Sequence, residues 1–174
     1  MRSKIAAGIL LTVFTSALAG LAQSIYRAKY IGFEYKGVIP GKTLSNGVKH
    51  LGGGLIGDID AEPVYGIAQV EKGKLKMYWL EESTGRDEGG VTGWRVKDVL
   101  AFPSLTASDY SFFAGDPAIE CTKKGEAIPN LVGVGRIIRR QWLFKPSKLW
   151  VANLTSLKFE PFSIAGVKCL YSEP

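Results

Sequence analysis

The sequence predicts a mainly β protein, a single-domain antiparallel sandwich or partly closed barrel with at most one or two short helices. Glycine supplies 21 of the 174 residues and proline 8, and both fall between short apolar runs rather than inside long helical periods. Turn signals recur at a spacing of roughly ten residues, as in sandwiches and barrels. Several apolar runs also alternate with period two, the pattern of a strand with one buried face.

Taken in order, Ile25 to Tyr35 is rich in aromatic and β-branched residues and reads as the first strand, changing face at Gly32. Gly37 to Pro63 is a long glycine-rich connection. Structureless connections of that length are uncommon in compact domains, so a short hairpin is expected within it, with Asn46-Gly47 as the turn. Val64 to Val70 and Leu75 to Leu80 form the clearest hairpin, around Glu71-Lys72-Gly73-Lys74. In its second arm Leu75, Met77 and Trp79 share one face, and Lys76, Tyr78 and Leu80 the other. Glu81 to Gly93 is polar and reads as a loop, and Trp94 to Phe102 fits neither period strictly. Ser104 to Ala114 reads as a short helix capped by Ser104 or Thr106. Ala118 to Cys121, Leu131 to Ile138 continuing to Phe144, Leu149 to Asn153, Leu157 to Phe159 and Val167 to Tyr171 complete the strands.

The first 22 residues set the compartment. Arg2 and Lys4 precede an apolar stretch from Ile5 that ends in the small-residue sites Ala17-Leu18-Ala19 and Gly20-Leu21-Ala22, the pattern of an export signal. The expected cleavage follows Ala22, leaving residues 23–174 as one β-rich domain in a secreted or periplasmic setting. A retained membrane helix is the competing reading, and the run of roughly 18 residues is short for a span of about 20. Two cysteines, Cys121 and Cys169, in an exported chain read as one disulfide.

Charge is uneven. Residues 23–118 hold 11 basic and 12 acidic side chains, whereas residues 119–174 hold 9 and 4. The densest part, Arg136-Ile137-Ile138-Arg139-Arg140-Gln141-Trp142, combines cations with an exposed-type aromatic. Arg136, Arg139, Arg140 and Trp142 are therefore the candidate binding residues, for an anionic envelope polymer, a lipid surface or a protein. A solubilising strand face is the plainer alternative. Export makes nucleic acid a poor partner.

The blocks Trp150-x-Ala152-Asn153, Lys158-Phe159 and Gly166-Val167-x-Cys169, with Cys121-x-x-x-Gly125 upstream, resemble the end of small exported bacterial proteins whose activity is unassigned. The resemblance covers about a third of the chain. It implies a bacterial extracytoplasmic setting with Cys121 and Cys169 paired, and no chemistry.

Catalytic readings pass through His50, the only histidine. A small extracytoplasmic hydrolase using His50 with Asp58 or Asp60, and Ser45 as nucleophile, is the alternative to a non-enzymatic binding module. No Gly-x-Ser-x-Gly elbow supports it. Asp58, Asp60 and Glu62 alternate as a cation-binding loop would, without the EF-hand spacing. The run Gly52-Gly53-Gly54 has no Lys-Ser/Thr after it, so it is no phosphate loop, and no cofactor motif is present.

Overall fold

The computed structural model describes residues 23–37, 40–102, 105–106, 108–113, 116 and 118–172. The expected export signal and the expected cap Ser104 lie outside the described residues. A helix, α1, covers residues 23–30. It is followed by β1 (Glu34–Lys36), β2 (Lys49–Ile56), β3 (Tyr65–Lys72), β4 (Leu75–Arg86), β5 (Thr92–Phe102) and β6 (Tyr110–Phe113). Then come β7 (Ile119–Lys123), β8 (Glu126–Ala127), β9 (Leu131–Ile138), β10 (Leu143–Asn153), β11 (Lys158–Phe162) and β12 (Val167–Tyr171). The fold is mainly β, as expected, in two antiparallel sheets, one of them curled into a half-barrel. The first sheet runs β1-β5-β4-β3-β2 and the second β6-β9-β10-β12-β7-β8, with β11 also on β10.

Both sheets are apolar on both faces. Val70, Met77, Trp79 and Val99 of the first sheet gather with Tyr30 of α1 on one side. From the opposite face Ile67, Tyr78, Leu80 and Phe102 meet Val132, Val134, Ala152 and Phe159 of the second sheet. The far face of the second sheet packs Phe112, Leu131, Phe144 and Leu149 around Cys121 and Cys169. The half-buried pattern expected for β4 is thus corrected: Met77, Tyr78, Trp79 and Leu80 are all buried, because the strand lies between two cores.

The β3–β4 hairpin turns where expected, Lys72 opposite Leu75 with Gly73 at positive φ. The glycine-rich connection holds the expected tight turn, with Leu44 N donating to Val48 O at 2.7 Å around Asn46-Gly47. It also holds β2 itself, whose glycines let two backbones approach: a Cβ on Gly53 would stand 2.6 Å from the carbonyl oxygen of Ile67.

Three stretches differ from expectation. The run from Ile25 is helical, since Tyr26 and Tyr30 four residues apart share the helical face that meets the core, while Ile25 and Ile31 are exposed. Gly32, at φ 83°, then turns the chain into β1. The polar stretch from Glu81 is mostly strand, because β4 runs on to Arg86 and β5 begins at Thr92. Within 104–114 the described structure holds β6, paired to β9 with Phe112 opposite Gly133. Glycine at that position leaves the room that the Phe112 ring fills. Among the described residues no helix is long and apolar enough to cross a membrane.

Candidate functional site

The predicted basic residues come together at one end of the second sheet. Arg136 lies on β9 opposite Lys145 of β10, and Ile138 opposite Leu143. Leu143 in turn faces Leu170 of β12. Arg139 and Arg140 form a single 3₁₀ turn, Arg139–Gln141, that leads into Trp142. Trp142 takes the left-handed conformation, φ 51° and ψ 39°, which is costly for a bulky side chain. Its amide donates to Arg139 O at 3.1 Å and its carbonyl accepts from Tyr171 N at 2.9 Å, so the backbone is fixed. The ring is 56% exposed, beside Leu143 at 38% and Leu170 at 57%. Arg136 also faces Asp109, Nε to Oδ1, at 3.9 Å. Sequence reasoning missed Leu143 and Leu170, since their neighbourhood arises only from cross-strand register.

The hydrolase geometry is not assembled. His50 stands near the start of β2, whereas Asp58 and Asp60 are exposed beyond its end, about 25 Å away along an extended strand. Ser45 is exposed in the preceding turn. Asp58 Oδ1 accepts from its neighbour Asp60 N at 3.0 Å, a local turn. Among the described residues no group of three His, Cys, Asp or Glu side chains is placed to hold a metal ion.

His50 instead belongs to a buried polar group that the sequence did not show. It is 1% exposed, and its ring centroid lies 6.2 Å from that of Tyr35. Tyr35 Oη donates to Glu81 Oε1 at 2.7 Å, and Glu81 is 3% exposed. Burial pushes the Glu81 carboxyl up to about 8, against the opposing pull of the Tyr35 hydrogen bond. Burial, then the neighbouring Glu81, pushes the Tyr35 phenol up. Burial holds the His50 imidazole below its ordinary value. Neither His50 Nδ1 nor Nε2 has a hydrogen-bond partner. A cleft of about 210 Å³ opens beside these groups, with His50, Glu81 and Trp94 on its wall among Gly53, Gly54 and Gly66 and the apolar Leu55, Ile67 and Ala68.

A larger recess, about 380 Å³, lies between the sheets against Phe102 and Trp150, with Asp109 and Lys148 among its lining residues. Asp109 there already accepts from Thr106 N and Oγ1, at 2.9 and 2.8 Å. On the far side of the second sheet, Cys121 and Cys169 are register partners, Cα to Cα 4.0 Å, joined by the expected disulfide. No family model, curated protein or solved structure matches this chain.

Proposed function

We propose that the chain is an exported binding module that associates with an anionic lipid surface of the envelope through the distal end of its second sheet. The observation that carries this is the Trp142 corner. A bulky aromatic is held outward in a backbone conformation that glycine would adopt at no cost, and its fixed carbonyl keeps it there. Leu143 and Leu170 extend the apolar patch, and Arg136, Arg139, Arg140, Lys145 and Lys168 surround it. Tryptophan suits a membrane interface because its ring is apolar and its N–H is polar. Arginine and lysine beside it supply attraction to anionic headgroups, with their stems lying on the apolar surface. The Cys121–Cys169 disulfide supports an oxidising compartment.

Cosedimentation with phosphatidylglycerol vesicles tests the reading. Binding is expected to weaken with salt, and Arg139→Ala/Arg140→Ala to lower affinity by about thirtyfold, from roughly 1 kcal/mol per cation near the surface. Trp142→Ala should reduce the part that survives high salt. Equal binding to neutral phosphatidylcholine vesicles, or retention unchanged in the double variant, would overturn it. Tighter binding to an anionic polysaccharide than to the vesicles would reject lipid as the occupant.

A further inference from the structure

We infer that the cleft at the mouth of the first sheet is a binding site for a small primary ammonium compound, received by Glu81 and His50 beside the Trp94 ring. The inference is independent of the lipid-surface reading, because it concerns the other sheet.

The register explains how the cleft arises. Gly66 on β3 pairs with Leu55 of β2 and Glu81 of β4, so no side chain projects at the position next to the carboxyl. A Cβ added at Gly66 would lie 3.5 Å from the Trp94 ring and 3.3 Å from Gly54 O. The missing side chain at Gly66 thus leaves a space bounded by backbone, by Leu55, Ile67, Ala68 and the Trp94 ring, and by two polar side chains, His50 and Glu81.

Its chemistry selects the ligand. Among the described residues Glu81 has no ion-pair partner, and the one hydrogen bond to its carboxyl comes from Tyr35. An ionised carboxylate buried in that way lacks a countercharge, which a bound ammonium supplies. His50 is neutral, so one ring nitrogen offers a lone pair as a second acceptor for an N–H. Its two nitrogens have no protein partner, which is unusual for a side chain so deeply buried. The Trp94 ring, together with Leu55 and Ala68, gives the alkyl stem of such a cation an apolar wall. A volume of about 210 Å³ corresponds to about seven water volumes, room for an amine of on the order of seven heavy atoms.

The proton accounting is simple. At neutral pH the Glu81 carboxyl holds its proton. When the ammonium binds, the carboxyl ionises and one proton passes to solvent, and no other bond is made or broken.

Calorimetry of the full-length chain with n-butylammonium chloride, and with n-butanol and butyrate as controls, tests this. Butylammonium is expected to saturate the protein in the millimolar range or below, and to release up to one proton at pH 7, read from the dependence of heat on buffer. Glu81→Gln keeps the shape of the neutral carboxyl and should weaken butylammonium at least tenfold. Gly66→Val closes the cleft without changing charge, and should abolish binding. Unchanged affinity in either variant, n-butanol binding as tightly as butylammonium, or failure of the wild-type chain to saturate would overturn the inference.

Discussion

Asp98 on β5 and Glu81 on β4 are carboxyls of one sheet, 1% and 3% exposed, yet their surroundings differ. Asp98 accepts from Arg27 Nη2 of α1 at 2.9 Å and from Phe159 N of β11 at 2.8 Å, and pairs as an ion with Arg27 Nε at 2.8 Å. It ties the helix, the first sheet and the second sheet to one point. Glu81 has the Tyr35 hydroxyl on one side and an open cleft on the other. Burial alone therefore does not distinguish a structural carboxyl from one left for a ligand. The distinguishing feature is whether the chain itself supplies the opposite charge.

Removing Asp98 should do the most damage. Asp98→Ala strands the Phe159 amide and the partly exposed Arg27 guanidinium, and is expected to cost about 3 kcal/mol or more in urea unfolding. A loss under about 1 kcal/mol would mean that the three-element junction is ornamental.

Next comes pH. The folded chain holds the Glu81 proton up to about 8 against an ordinary 4.5, so this group makes stability fall as pH rises between those values. His50, depressed from 6.5, acts with the opposite sign, costing stability as pH falls below that value. Above 6.5 the Glu81 effect outweighs what remains of the His50 one, and stability should drop by about 1 kcal/mol on going to pH 8. Glu81→Gln should flatten this slope. A wild-type profile that is level over the same window would contradict the buried, unpaired state of Glu81.

The smallest effect is expected at Tyr35. Tyr35→Phe deletes one hydrogen bond to the carboxyl, about 1 kcal/mol, and should move the Glu81 titration still higher, visible by carboxyl NMR. Movement in the other direction would show that the phenol, rather than burial, holds the proton on Glu81.

Much of the fold was legible. Period-two alternation located β3 and β4, turn residues located their hairpin, and two cysteines in a chain read as exported pointed to the disulfide. The first helix was not, because aromatic residues at every second position satisfy a strand while Tyr26 and Tyr30 also satisfy a helical face. The basic corner was visible as a run of residues, though its apolar half was not. His50 stood out as the single histidine, but the acidic partners nearest in sequence are exposed and distant. Glu81 opens a polar stretch, Glu81-Glu82-Ser83-Thr84, and nothing local marks it as the first residue of that stretch to be buried. Its burial follows from β4 continuing past the expected boundary, with Gly66 opposite it.

The Cys121–Cys169 bond encloses β8, β9, β10 and β11, and with them the arginine corner between β9 and β10. That corner offers Arg139 and Arg140 at an exposed turn, the kind of place where trypsin-like proteases cut. A single cut there would fall inside the closed ring. The two pieces would stay covalently joined, β9 still paired with β6 and β10 with β11, so the nicked chain would run as one species until a reductant opened the bridge. The cross-link thus makes an exposed corner of the surface one whose cleavage leaves the chain in one piece.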